Sequence, residues 1–223
     1  MEGGLAIPHY ERVRIELDIM PATLTERLSP PVVQDPPRKR WTRAECERLE
    51  GLGIFEQQRV ELIEGELIDK MGKNRPHVRA AALLTAWLIQ VFGGLRVNAE
   101  APIDVAPEDN PTNQPVPDLF VLTGEYAGSA RYLAATPQPR DLDLVVKIAD
   151  TSLAFDLTVK AALYARARIT EYWVLDVPGR RLIVHRDPQN GQYGSVTAYD
   201  EQEGIGPVGA PNSIFQVRAV FPK

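Results

Sequence analysis

Six charged residues of this 223-residue chain stand where a folded protein would sooner place an apolar side chain or a turn. Glu61 and Glu66 flank the turn in "RVELIEGELIDK", Asp118 follows Pro117 at the head of "PDLFVL", and Lys147 interrupts the apolar run "DLVVKIAD". Asp156 and Lys160 are four apart on the helix expected next, hence on one face. Carboxylates converging beside a lysine suit a hard cation and phosphodiester hydrolysis. Mg²⁺ takes oxygen ligands, polarises a phosphate and lowers the pKa of a bound water, while an ammonium meets the developing charge. Spacing alone leaves a plainer alternative open: solvated acids at strand ends and a helix-face ion pair. Lys147 sharpens the choice, because a buried ammonium is costly unless an anion meets it.

The elements that must position these groups follow from periodicity and punctuation. "WTRAECERLEGLG" carries the capping-box spacing, Thr42 with Glu45, and Gly51 or Gly53 to stop a short helix. "RVELIEGELIDK" reads as a hairpin turning at Glu64-Gly65, and Pro76 to Phe92 as a long helix closed by Gly93-Gly94. "LRVNAEAPIDVA" and "PDLFVLTG" read as strands. Residues 142 to 177 give a strand, the turn "ADTS", a helix from Ala154 to Arg168 and a second strand. "EYWVLDV", "RRLIVHR" and "YGSVTAY" form a meander turned first at Pro178-Gly179, and "IFQVRAVF" ends the series. The order implies an α+β fold with an α/β-like core: a central mixed sheet flanked by helices, with additional antiparallel strands. A right-handed crossover makes the two strands within 142–177 parallel.

Upstream, Val13, Ile15, Leu17 and Ile19 alternate with charged residues in "RVRIELDI", the pattern of a half-buried strand. The proline-rich "LSPPVVQDPPRKR" reads as an extended linker. The expected division is an N-terminal extension over residues 1–35 and one domain over 36–223. The terminal strand is a candidate arm for a homodimer.

A net charge of −5 argues against a broadly basic nucleic-acid coat, though not against a local basic cleft. The single cysteine, Cys46, cannot form an internal disulfide and fits a reducing compartment. No stretch approaches the roughly 20 apolar residues that span a bilayer, and no secretory signal is visible. A soluble cytoplasmic protein with no membrane partner is expected. His9 and His185 have no companions at ligand spacing, and Tyr164, Tyr172 and Trp173 fall in apolar patterns that read as core.

In this order, "RVELIEGELI", "HVRAAALLTAWL", "PDLFVL", "DLVVKIADTSLAFDLTVKAALYARA" and "EYWVLDVPGRRLIVHR" resemble the Uma-type putative restriction endonuclease family, within the PD-(D/E)XK nuclease superfamily. The resemblance covers roughly residues 36 to 200. It implies a restriction-endonuclease-like core and a DNA endonuclease dependent on Mg²⁺ or Mn²⁺. It also implies a site of Asp118, Lys160, Lys147, Glu61 and Glu66, with Asp118 and Glu61 as metal ligands. Asp156, His77 and Gln114 match accessory positions of the family.

One position departs from the pattern. Where the family usually carries glutamate in a "VVEV" strand, as the second metal-binding acid, this chain has "VVKI" with Lys147. The exchange replaces a −1 ligand by a +1 group. The resemblance therefore implies a nuclease fold whose metal site is impaired or replaced by an internal salt bridge. The alternative is a non-catalytic module that keeps the fold to bind DNA or a protein.

Overall fold

The computed structural model describes residues 37–56, 58–70 and 72–221. The expected strand at Val13–Ile19 and its linker lie outside the described residues. The described elements belong to one unit, Arg38–Lys223. Thr42 caps α1 (Arg43–Gly51), its side chain accepting from the Glu45 amide while the Glu45 carboxylate accepts from the Thr42 amide. β1 (Val60–Ile63) and β2 (Glu66–Asp69) form a separate antiparallel hairpin. Glu64 (φ 49°) and Gly65 (φ 75°) supply the left-handed backbone that a two-residue turn demands. α2 (Arg75–Phe92) starts at Asn74, whose side chain accepts from the His77 amide, and ends at Gly93.

The main sheet joins β3 (Val97–Ala99), β4 (Leu119–Leu122), β5 (Leu142–Ala149), β6 (Glu171–Asp176), β7 (Arg181–Gln189) and β8 (Gln192–Asp200), in that spatial order. Only β5 and β6 run parallel, as the crossover rule requires. A short helix, α3 (Gly124–Ala127), follows β4. The crossover comprises α4 (Leu153–Phe155), a π-helical stretch over Asp156–Lys160 and α5 (Ala161–Arg166).

β5 is buried on both faces, which is why its sequence is nearly continuous in apolar residues. Leu144, Val146 and Ile148 face α2 through Leu84 and Leu88, together with Trp173, Leu175 and the C-terminal residues Phe215 and Val217. Val145 and Ala149 face the other way, against Leu163, Tyr164 and Tyr172. Lys147, between them by the period of two, belongs to this second face.

Two expected strands are shorter than their patterns. Only Val97–Ala99 of "LRVNAEAPIDVA" pairs, because Glu100 adopts φ 52° and Pro102 has no amide to donate. Of "IFQVRAVF", only Phe215–Gln216 pairs, with β9 (Gly204–Ile205). Val217–Val220 then tightens into a 3₁₀ turn that buries Val217 and Val220 under the sheet. Alternation of apolar residues at a sheet margin does not distinguish these outcomes.

The α2 face is centred on Trp173, fully buried and packed against Trp87 (6.3 Å between rings) and Phe215 (6.1 Å). Trp173→Ala is expected to cost about 3–5 kcal/mol, read as a lower denaturant midpoint at unchanged slope.

Candidate active site

The sheet register alone places two of the charged residues together. Leu119 pairs with Val146 and Phe120 with Val145, so one step further Asp118 stands opposite Lys147, on the same face. The contact is direct: Lys147 Nζ lies 2.9 Å from Asp118 Oδ2. The same oxygen accepts the Ile148 amide at 2.8 Å. Both side chains are buried, Lys147 at 6% and Asp118 at 3% exposure. Burial raises the Asp118 pKa, but the Lys147 charge and the Ile148 amide outweigh it and hold the carboxyl below its ordinary value. Burial likewise opposes the ammonium of Lys147, yet Asp118, Asp156 and Glu61 carry its pKa above the ordinary lysine value.

A second pair lies beside the first. Glu61 projects from β1 and accepts Lys160 Nζ on Oε1 at 2.5 Å and the Val116 amide on Oε2 at 3.0 Å. Lys160 also approaches Asp156 Oδ1 to 3.5 Å, near enough for an ion pair but without hydrogen-bond geometry. The other Asp156 oxygen accepts the Ser152 hydroxyl at 2.6 Å. The π-helical stretch puts Asp156 and Lys160 one wide turn apart, both turned into the protein; such interruptions recur at functional positions.

Glu61, Asp118, Lys147 and Lys160 line a cavity of about 160 Å³ together with His77, Lys70 and Lys73. His77 Nε2 has no hydrogen-bond partner and sits 3.8 Å from Asp118 Oδ1. Burial lowers its pKa; Lys73 and Lys147 add to this and Asp118 opposes it. Lys73 pairs with Glu100. Lys70 donates to the Val116 carbonyl at 2.9 Å, and burial, followed by the neighbouring Lys147 charge, pushes its pKa down to about 8.

The structure thus brings together Glu61, His77, Asp118, Lys147, Asp156 and Lys160. It does not bring in Glu66, which pairs with Arg40 at 3.3 Å and is exposed. Glu66 lies two residues nearer the hairpin turn than Ile68, the partner of Glu61, a displacement of about 7 Å along the strand. Gln114 does not line the cavity either. Its amide donates to the Leu62 carbonyl at 2.7 Å, so its part is to hold the hairpin by backbone. Sequence reasoning missed Lys70, Lys73 and Ser152, because the end of "RVELIEGELIDK", the segment "MGKN" and the turn "ADTS" carry no signal of a shared cavity until the hairpin folds over the sheet.

A divalent cation fits these residues poorly. Both Glu61 oxygens and Asp118 Oδ2 are taken by ammonium or amide donors, leaving Asp118 Oδ1 as the open acidic oxygen of the pair. Among the described residues no three His, Cys, Asp or Glu side chains gather as a metal-holding group.

A mixed sheet flanked by helices, with buried acids and amines gathered in one cavity, is the frame in which the family can be placed. The chain belongs to the Uma2 family, described as "Putative restriction endonuclease", whose model matches residues 43–214. Among solved structures it is similar to a putative nuclease belonging to DUF820 from Anabaena variabilis. That similarity has a TM-score of 0.54 at 16% identity and covers 73% of this chain and 89% of the other. It shows the fold. No curated protein matches. No helix among the described residues is long and apolar enough to cross a membrane.

Removing the ammonium strands a buried carboxylate. Lys147→Met should destabilise the protein by about 3–5 kcal/mol near neutral pH. The native Asp118 pKa is depressed, so its contribution is present above the unfolded value and is lost only as pH falls through the folded one. In the variant burial is opposed only by the Ile148 amide and the charge of Lys70, so that pKa rises and the carboxyl neutralises at a higher pH. The difference between native and variant should therefore shrink on mild acidification, measured by denaturant unfolding across pH.

Proposed function

We propose that this protein is a DNA-binding member of the nuclease family in which Lys147 occupies the place of the divalent ion, so that metal-dependent phosphodiester cleavage is impaired in the chain as it stands. One observation carries the reading: the Lys147 ammonium sits 2.9 Å from Asp118, inside a cavity lined also by Glu61, His77 and Lys160. A cation entering there would meet a fixed positive charge. At 4 Å, two unit charges repel by about 4 kcal/mol at an effective dielectric of 20, and a divalent ion feels twice that. It would also lack the carboxylate ligand that the resemblance implies for this position. Asp118 is the central acid of this reading, Lys160 the amine that orders Glu61, and His77 and Asp156 accessory groups.

The test is a supercoiled-plasmid nicking assay with Mg²⁺ or Mn²⁺. The native chain is expected to show little or no metal-dependent nicking, and Lys147→Glu to gain it. Adding Asp118→Ala to that variant should abolish the gain. Mn²⁺ should raise the melting temperature of Lys147→Glu and leave the native chain unchanged, since a ligand stabilises only what it binds. Native cleavage as fast as that of Lys147→Glu would sink the ion-replacement reading, and silence of both forms would sink the nuclease chemistry.

A further inference from the structure

Two depressions continue from the site cavity along the start of α2. The first, about 520 Å³, shares Asn74 and Asp150 with that cavity and is walled by Arg75, Arg79 and Arg180. The second, about 670 Å³, shares Arg79, Arg180 and Phe221 with the first and adds Arg218. They form a channel leading away from the site.

Its charge is unlike that of the chain. Four arginines face only two acids, Asp150 and Glu201, in a protein whose net charge is −5. Arg180 is engaged, pairing with Glu201 and lying 4.9 Å over the Phe221 ring. Arg75, Arg79 and Arg218 are exposed, and among the described residues no carboxylate reaches ion-pair distance of them. Arg75 and Arg79, one helical turn apart, stand on one face of α2, about 5–6 Å between Cβ atoms. Beside the arginines, the first depression is also lined by the partly exposed apolar residues Val177 and Pro178, next to the largely buried Val220 and Phe221.

An arginine rim beside an apolar lining matches a polyanion that also presents flat apolar faces. A duplex keeps its bases stacked inside and would use only the rim. A single strand can lay an unstacked base on that lining while its phosphates meet the guanidinium groups, the general pattern of single-strand binding. We infer that this channel holds a single-stranded nucleic-acid segment extending from the site, its phosphates on Arg75, Arg79 and Arg218 and one base against Val177 and Pro178. The inference rests on the nucleic-acid reading of the site and adds to it a path and a preferred form of strand.

The experiment is fluorescence anisotropy of the full chain with a labelled single-stranded oligonucleotide, the same oligonucleotide as a duplex, and an abasic version of equal charge, across a salt series without added metal. Arg75→Ala/Arg79→Ala is compared with Arg140→Ala/Arg168→Ala, a pair from a separate arginine cluster beside Pro107. The channel pair should weaken single-strand binding at least tenfold and lower the salt slope by about 1.4, roughly 0.7 for each phosphate that is no longer neutralised. The control pair should change affinity less than about threefold, and the abasic strand should bind about tenfold more weakly than the normal one. Strand binding equally sensitive to both arginine pairs would overturn the channel while leaving the nucleic-acid reading intact. No strand binding by the native chain would overturn both. Equal affinity for the abasic strand, or an acidic peptide bound as tightly with the same arginine dependence, would overturn the single-strand assignment.

Discussion

The Lys147–Asp118 pair governs the arrangement around it. Two charges removed from water are tolerated only if each is matched and the remaining lone pairs are occupied. Here the Ile148 amide joins Lys147 on Asp118 Oδ2, and Asp156 and Glu61 add field at Lys147 without touching it. Such a pair adds little net stability compared with well-packed apolar residues of the same volume. With an ammonium fixed on this face of β5, carboxylates from the elements above offset the cost of burying it. The hairpin brings Glu61 and the π-helical stretch brings Asp156, with Lys160 between them.

The hairpin shows why that matters. β1 and β2 pair with each other and not with the main sheet, and an isolated hairpin is marginal in water. Its turn is tied down by the Gly65 amide on the Thr112 carbonyl and the Glu64 amide on the Asn113 side chain, and β1 by the Leu62–Gln114 bridge. Two further ties, from the Val116 amide and the Lys160 ammonium, end on the Glu61 carboxylate. Glu61 is therefore both a member of the charged cluster and the clamp that closes the cavity, so site and local fold share the same interactions.

Much of this was legible in the sequence because it follows from short-range rules. The Thr42–Glu45 box, the Glu64-Gly65 turn and the parallel β5–β6 crossover each follow from spacing, turn chemistry or handedness. The Asp118–Lys147 meeting was legible as a demand: a lysine inside a buried strand requires an anion, and Asp118 heads the preceding strand. The assignment of partners was not. Spacing suits a hairpin glutamate as the match for Lys147 equally well, yet Glu61 goes to Lys160. Strand register fixes Asp118 opposite Lys147 to within a residue, whereas the hairpin is docked from outside the sheet. Glu66 escaped the pattern for a related reason. Its motif spacing groups it with Glu61, but distance along a strand, about 3.4 Å per residue, decides which acid reaches the cavity.

The balance of charge in the cavity bears on what such a site can accept. Lys73, Lys147 and Lys160 are each matched by carboxylate, whereas Lys70 has only a neutral carbonyl beside it and a pKa of about 8. An amine with no carboxylate at ion-pair distance, among other ammonium groups, gives up its proton more readily than an ordinary lysine. Any ligand entering there meets two classes of cation: fixed ones already neutralised by acids, and Lys70, whose charge depends on what approaches. An anion near Lys70 would hold its proton, while a further cation would drive the proton off. The ammonium at position 147 thus bears on more than Asp118, because its charge adds to burial in lowering the pKa of both Lys70 and His77.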